Sequence, residues 1–218
     1  MGSLKRFNLQ RIIDNYGITT FFETGTWRGD GLAYACRHPF KKLLSSEIVP
    51  EFARKAEERF AADARVKIIE ADSLTALERS LTDLNGHCIF WLDAHFPAAD
   101  EGLQGFNVVE DESIRLPLEK EMEIIARRKG QYKDVILIDD LRIYEDGDYD
   151  QGNLPDNILP PKIRNIDFAD RLFGDTHDIY RSNRMEGFMY LLPKGTVSEN
   201  FLKKIGYDLR IALKKGVY

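Results

Sequence analysis

Two short motifs place acidic residues where they could perform chemistry. WLDAHF covers residues 91–96 and contains Asp93 and His95, and VILIDD covers residues 135–140 and ends in Asp139 and Asp140. Each motif closes an apolar run of the kind that forms a buried strand. If the two strands are neighbours, three carboxylates meet at one sheet edge. They repel one another there unless they are protonated or bound to a cation.

A hard ion such as Mg²⁺ would relieve this crowding, because it prefers oxygen ligands and keeps positions open for water or substrate. Asp93, Asp139 and Asp140 are therefore the candidate metal ligands. Such an ion would also lower the pKa of a substrate hydroxyl group. His95 points to the same side as Asp93 in an extended chain and is a candidate general base. In the structural alternative, the aspartates only cap strands and His95 is a loop histidine bonded to backbone.

A glycine-rich turn follows an earlier apolar run, in residues 23–31 (ETGTWRGDG). Glycines between a strand and a helix let a ligand approach the backbone, and the helix N-terminus offers free N–H groups. The pattern E-x-G-x-x-x-G-x-G resembles the first motif of class I methyltransferases. In that family the acidic residue, here Glu23, sits near the cationic methionine end of S-adenosylmethionine. The remaining candidate cofactor-binding residues of this turn are Thr24, Gly25, Thr26 and Gly29.

The next two apolar runs also end in polar residues. Glu47 closes the second, and a carboxylate there can accept two hydrogen bonds from ribose hydroxyls. Asp72 closes the third and could bind the adenine amino group. Ser73 could cap the following helix as well as contact the adenine ring. Glu47 and Asp72 could also be solvated carboxylates at strand ends, but the three successive strand ends together favour a nucleoside-containing cofactor.

Short apolar runs alternate with amphipathic stretches along most of the chain, which is typical of βα units. The predicted strands lie in residues 19–26, 42–49, 66–72, 87–95 and 134–143. The predicted helices lie in residues 31–38, 50–62, 73–84 and 117–129, with a final helix over 196–215. Runs at 177–183 and 187–193 are joined by only three residues, so they predict an antiparallel hairpin.

A parallel sheet closed by such a hairpin is the layout of class I methyltransferases. The sequence therefore predicts an α/β protein with a Rossmann-like class I methyltransferase fold. We expect a mostly parallel seven-stranded sheet with a C-terminal antiparallel hairpin and helices on both faces. Residues 1–218 would form a single domain, with lid-like insertions at about 96–116 and 145–161 that leave the carboxyl edge of the sheet.

The resemblance is most specific at WLDAHF and VILIDD, with PLEKEMEII between them. These motifs are similar to those of the macrocin O-methyltransferase group and related bacterial methyltransferases of polysaccharide and antibiotic pathways. In that group, aspartates at these two strand ends bind Mg²⁺ and a nearby side chain deprotonates a sugar hydroxyl. The resemblance covers roughly residues 19–145. His95 replaces the second acid of the group's LDxD-type motif.

Composition narrows the possible partners. The net charge of −5 argues against nonspecific nucleic-acid binding, which needs a basic face. The chain has no apolar stretch of the ~20 residues that cross a bilayer, so no membrane partner is expected. Two cysteines in apolar stretches fit a reducing compartment, and we expect a cytoplasmic protein. A homo-oligomer is compatible with the sequence.

The sequence thus predicts a methyltransferase that uses S-adenosylmethionine and Mg²⁺. Its expected reaction is O-methylation of a small polar acceptor, such as a sugar, a sugar nucleotide or a phosphorylated metabolite, in carbohydrate biosynthesis. Two alternatives remain open. An NAD-dependent oxidoreductase or sugar-nucleotide enzyme would explain the glycine turn and Glu47, but not the hairpin or the aspartates. A non-catalytic cofactor-binding module would bind the cofactor without turnover.

Overall fold

The computed structural model describes residues 4–96, 111–159 and 164–195, which form a central sheet flanked by helices. The seven strands are β1 (Thr20–Thr24), β2 (Lys42–Glu47), β3 (Val66–Glu70), β4 (Cys88–Leu92), β5 (Val135–Ile138), β6 (His177–Ser182) and β7 (Phe188–Pro193). The α-helices are α1 (Leu9–Tyr16), α2 (Asp30–Ala35), α3 (Pro50–Phe60), α4 (Ser73–Ser80), α5 (Glu112–Arg115), α6 (Leu118–Ala126) and α7 (Asp167–Phe173). Short 3₁₀ helices cover Leu4–Arg6, Leu81–Asp83 and Leu141–Ile143.

The strand order is β3-β2-β1-β4-β5-β7-β6. Strands β1 to β5 are parallel, and β7 runs antiparallel to both β5 and β6. The predicted mostly parallel seven-stranded sheet with a C-terminal hairpin is confirmed. The order in which the strands are laid down reverses between β1 and β4. Because β1 to β5 are parallel, their carboxyl ends form one edge, and ligands bind at this edge in open α/β folds.

The sheet separates two apolar cores. One face carries residues such as Phe21, Trp91 and Tyr190, which pack with α1, α2 and α3. The opposite face carries residues such as Phe22 and Phe90, which pack with α4, α6 and α7. Every residue of β1, β4, β5 and β7 is buried, because these central strands are covered on both faces.

Several predicted boundaries were wrong. The fifth strand ends at Ile138 instead of running to Ile143, because Asp140 adopts a left-handed backbone (φ 49°) and a 3₁₀ turn follows it. The helix expected over 73–84 ends at Ser80 and continues as a 3₁₀ turn. Helices α1 and α7 were not predicted.

Two predictions fall largely outside the described residues. These are the final helix over 196–215 and most of the insertion at 96–116. No helix in residues 4–96, 111–159 and 164–195 is long and apolar enough to cross a membrane.

The second predicted insertion is packed onto the protein over residues 145–159. Arg164 holds it: the guanidinium donates to the carbonyl oxygens of Leu154 (2.6 Å) and Leu159 (2.8 Å) and pairs with Asp146 and Asp156. The Arg164 side chain is only 3% exposed. Tyr149, Leu154 and Leu159 of this segment are buried in the core on the α4, α6 and α7 side of the sheet.

Candidate functional site

The turn between β1 and α2 comes close to the neighbouring strand end. Gly25 has a φ of 81°, and a Cβ atom there would lie 2.8 Å from the carbonyl oxygen of Asp93. Only glycine fits both the backbone angle and the close approach. Thr26 donates to the carbonyl oxygen of Ser46 at 3.0 Å, and Gly29 is the residue before α2. These contacts fix the turn against β2 and β4 before any ligand binds.

Glu23 is buried beneath this turn and is 2% exposed. Ser45 donates a hydrogen bond of 2.6 Å to its Oε2. Its Oε1 fills the space beside Gly31, where any Cβ atom would clash with it. Burial raises the pKa of Glu23 to about 8, against the opposing effect of the Ser45 hydrogen bond. Glu23 therefore supports the turn from below, and its role toward the methionine end of a cofactor stays a prediction.

Glu47 is organised by backbone amides at the end of β2. Its Oε2 accepts from the Trp27 N–H at 2.7 Å and its Oε1 accepts from the Val49 N–H at 2.9 Å. Burial raises the pKa of Glu47, and these amides counteract that effect. Each oxygen keeps a second lone pair, so this carboxylate can accept two further hydrogen bonds from a diol.

The end of β3 differs in one detail from the prediction. Asp72, not Ser73, caps α4: Oδ1 of Asp72 accepts from the Thr75 N–H at 2.8 Å. Ser73 is the first residue of the helix, and its side chain acts to lower the pKa of Glu121 on α6. Because Asp72 has a second carboxylate oxygen, it can still accept from an adenine amino group.

Asp93, His95, Asp139 and Asp140 lie together at the ends of β4 and β5. The Asp139 N–H donates to the carbonyl oxygen of Leu92 at 3.2 Å, which fixes the two strand ends side by side. His95 lies between two aspartates, with Nε2 3.2 Å from Asp140 Oδ2 and Nδ1 3.9 Å from Asp93 Oδ1. This geometry is that of a histidine oriented by a carboxylate.

The three aspartates have different electrostatic environments. Burial, with the charges of Asp139 and Asp140, raises the pKa of Asp93 well above its usual value. Burial raises the pKa of Asp139 to about 7, and neither of its buried carboxylate oxygens has a hydrogen-bond partner. Burial also acts on Asp140, but the hydrogen bond and charge of His95 outweigh it and lower that pKa. Asp140 is thus the ionised partner of His95.

The predicted joint metal ligation by Asp93, Asp139 and Asp140 is not supported. Within residues 4–96, 111–159 and 164–195, no three His, Cys, Asp or Glu side chains are arranged to hold a metal ion. Asp140 has a left-handed backbone, and its Oδ2 lies 3.2 Å from Nε2 of His95.

Glu121 is a candidate functional residue that the sequence analysis missed. It is 1% exposed. Burial raises its pKa to about 7, and the side chains of Ser73 and Thr24 oppose that shift. The available signal was helical spacing: Glu121 lies three residues after Leu118 and four before Ile125, on the apolar face of α6.

Comparison with solved structures identifies the fold. An O-methyltransferase from Bacillus cereus, solved with SAH, aligns with a TM-score of 0.52 and 13% identity over 85% of this chain and 79% of that one. Spermidine synthase from Thermotoga maritima aligns with a TM-score of 0.50 and 14% identity over 94% of this chain and 65% of that one. No protein-family model matches the sequence, and a search of curated proteins found no match. The fold is the Rossmann-like fold of class I methyltransferases. At this level of identity the likeness defines the fold alone, and the macrocin O-methyltransferase resemblance stays a prediction.

Proposed function

We propose that the protein is an S-adenosylmethionine-dependent methyltransferase that methylates a hydroxyl group of a small polar molecule. The observation that carries this proposal is Glu47, whose two carboxylate oxygens are held by the Trp27 and Val49 amides at the end of β2. The carboxylate is thereby aimed as a ribose acceptor at one sheet edge together with Asp72. The solved O-methyltransferase of the same fold holds SAH, which supports the same cofactor here.

S-adenosylmethionine would supply a methyl group on a positively charged sulfur. The protein's contribution would be to hold the acceptor oxygen in line with that methyl group and to exclude water. The close approach at Gly25 packs the turn against the backbone of Asp93 at the end of β4. Glu23, Thr24 and Thr26 would contact the methionine part of the cofactor. Gly29 would let the cofactor approach the start of α2.

His95 is the base that we propose for the hydroxyl proton. Asp140 bonds to Nε2, so it stabilises the protonated ring and fixes its orientation. Nδ1, on the side of Asp93, would then take the proton as the methyl group moves to oxygen. We propose Asp93 as the group that orients the acceptor. A sugar, a sugar nucleotide or a phosphorylated metabolite fits this polar site better than a flat aromatic acceptor.

Isothermal titration calorimetry tests the cofactor. We expect S-adenosylmethionine to bind and NAD⁺ not to bind, equally well with Mg²⁺ and with EDTA. Binding of NAD⁺ alone would support the oxidoreductase alternative. Transfer of a labelled methyl group to any member of a sugar and sugar-phosphate panel would separate an enzyme from a non-catalytic module. A requirement for Mg²⁺ in that assay would contradict the metal-free proton transfer.

A further inference from the structure

The carboxylate of Asp139 is a buried acid that the proposed proton transfer does not use. The residue is 2% exposed, and within the described part of the chain neither of its carboxylate oxygens has a hydrogen-bond partner. A buried carboxylate lowers stability unless hydrogen bonds or an opposite charge compensate. Asp139 follows β5 at the edge of the sheet where ligands bind in this kind of fold. Its open hydrogen-bonding positions therefore indicate what kind of ligand belongs there.

The sheet register places Asp139 beside Asp93. Leu92 pairs with Ile138 in the parallel ladder, so Asp93 and Asp139 are the next two residues across β4 and β5. Residues that pair across parallel strands project to the same face of the sheet. The Asp93 side chain is 29% exposed. A ligand that reaches Asp93 from solvent therefore comes next to the carboxylate of Asp139.

Two cations at the ends of β4 and β5 are engaged by other acids. His95 lies with Nε2 3.2 Å from Asp140 Oδ2 and Nδ1 3.9 Å from Asp93 Oδ1. Arg142 acts on Asp140 as well, and together with His95 it lowers the pKa of that carboxyl group. Neither cation forms a hydrogen bond with Asp139. The Asp139 carboxylate is thus the acid that these cations leave unpaired.

The remaining charges around Asp139 are negative. Burial raises the pKa of Asp139 to about 7, the charges of Asp140 and Glu186 add to that effect, and His95 opposes it. Glu186 is 1% exposed, and its carbonyl oxygen accepts the Arg142 N–H at 3.0 Å, which holds the hairpin against the turn after β5. Hydroxyl groups of a ligand would supply hydrogen bonds here but no compensating charge. An ammonium group supplies both.

We propose that Asp139 binds a primary ammonium group of the acceptor, so that the substrate is an amino alcohol such as an amino sugar. This inference rests on the proposed function, because it takes the acceptor to lie beside Asp93 and His95. An ammonium group has three N–H donors. They match the two oxygens of Asp139 and Oδ1 of Asp140, which also has no hydrogen-bond partner in the described residues.

The same contact determines which atom of the acceptor is methylated. The lone pair of an ammonium nitrogen is bound to a proton, so this nitrogen cannot attack the methyl group. The hydroxyl oxygen forms the new bond to carbon while the bond from carbon to sulfur breaks. The hydroxyl proton passes to His95, as in the proposed mechanism, and the ammonium group keeps its own protons.

Pairs of ligands that differ in one amino group test this inference. They are glucosamine with glucose, and 3-aminopropan-1-ol with propane-1,3-diol. Calorimetry measures their dissociation constants on the full chain saturated with S-adenosylhomocysteine. We expect each amine to bind on the order of 10-fold more tightly than its hydroxyl counterpart, the effect of a charge-assisted hydrogen bond. N-acetylglucosamine keeps the nitrogen without its charge and should bind no better than glucose.

Asp139→Asn keeps the size of the side chain and removes its charge, so the preference for amines should fall to about 2-fold or less. Asp150→Asn is the matched control. Asp150 is exposed, and its Oδ2 already accepts the Met185 N–H at 3.1 Å, so this variant should keep the wild-type preference. Both variants should bind S-adenosylhomocysteine as the wild type does. A purely structural role of Asp139 would change stability and leave the preference intact.

Equal affinities within both ligand pairs, or no binding of either amine, would overturn the inference. A preference that survives in Asp139→Asn, or a methyl group found on nitrogen, would overturn it as well. If Asp139→Asn does not fold, the wild-type comparison of glucosamine with N-acetylglucosamine decides. Failure of the wild type to bind S-adenosylhomocysteine would instead overturn the proposed function.

Discussion

The carboxyl edge of the sheet has a cofactor half, at the ends of β1, β2 and β3, and an acceptor half, at the ends of β4 and β5. The two halves differ in the hydrogen-bond partners of their acidic side chains. In the cofactor half, each acid has a hydrogen-bond donor: Glu23 has Ser45, Glu47 has two backbone amides and Asp72 has the Thr75 N–H. In the acceptor half, Asp139 is buried with no hydrogen-bond partner for either oxygen. The cofactor half is therefore organised by the protein itself. In the acceptor half, the two carboxylate oxygens of Asp139 are left for a ligand or a proton to satisfy.

The largest expected effect is a loss of turnover on removing His95 from the acceptor half. His95→Ala should lower turnover about 100- to 1,000-fold, because the transition state loses its general base. Binding of S-adenosylmethionine should change little, since His95 lies outside the cofactor half. Turnover is measured by transfer of a labelled methyl group. His87→Ala, at the opposite end of β4, is the control, and an equal loss there would contradict the assignment.

The next largest effect is a loss of cofactor affinity on removing Glu47 from the cofactor half. Glu47→Ala should weaken S-adenosylmethionine about 100-fold, since two charge-assisted hydrogen bonds to ribose are lost. Calorimetry measures this change. Glu70→Ala provides the control, because Glu70 lies opposite Glu47 in the sheet but is exposed. Equal affinities of Glu47→Ala and the wild type would remove Glu47 from the site.

The smallest effect sharpens the contrast between the halves. The pKa of Asp139 in the folded protein is raised to about 7. In the unfolded chain this carboxyl group loses its proton near pH 4. The folded protein therefore loses stability as the pH rises from 4 toward 7. Asp139→Asn should remove that loss and be more stable than the wild type at pH 8, by on the order of 2 kcal/mol, with little gain at pH 4.

Urea unfolding of the ligand-free protein at the two pH values measures the difference. Glu47→Gln is the comparison variant and should destabilise the protein at pH 8, because it disturbs a carboxylate whose partners are already in place. A gain for both variants, or a gain for Asp139→Asn that is the same at both pH values, would show that the two halves do not differ as described.

Much of this arrangement could be predicted from the sequence, because it depends on local patterns. The apolar runs gave five parallel strands, and the three-residue link before Gly187 allowed only a hairpin. The polar residue after each strand could be placed at one edge because parallel strands share their direction. The confirmed fold therefore follows from periodicity and link length.

The remainder depends on contacts between distant elements. No local pattern shows that Asp140 takes a left-handed backbone and turns to His95, which is why a converged metal site was expected. Either Asp72 or Ser73 suits a helix cap, and only the position of Glu121 opposite Ser73 separates their roles. Glu121 itself looks like one more charge in a helix rich in glutamate until α4 and β1 are seen to pack against it.

The anchoring of residues 145–159 by Arg164 has a consequence for how this protein can be re-engineered. The clamp acts mainly on main-chain oxygens, at Leu154 and Leu159, and so does not depend on which side chains those positions carry. Exposed positions of the segment, such as Gln151 and Asn157, can vary without loss of these two hydrogen bonds. Libraries confined to these exposed positions can therefore search for new acceptors while the buried residues of the segment, the strand ends and their acids stay in place.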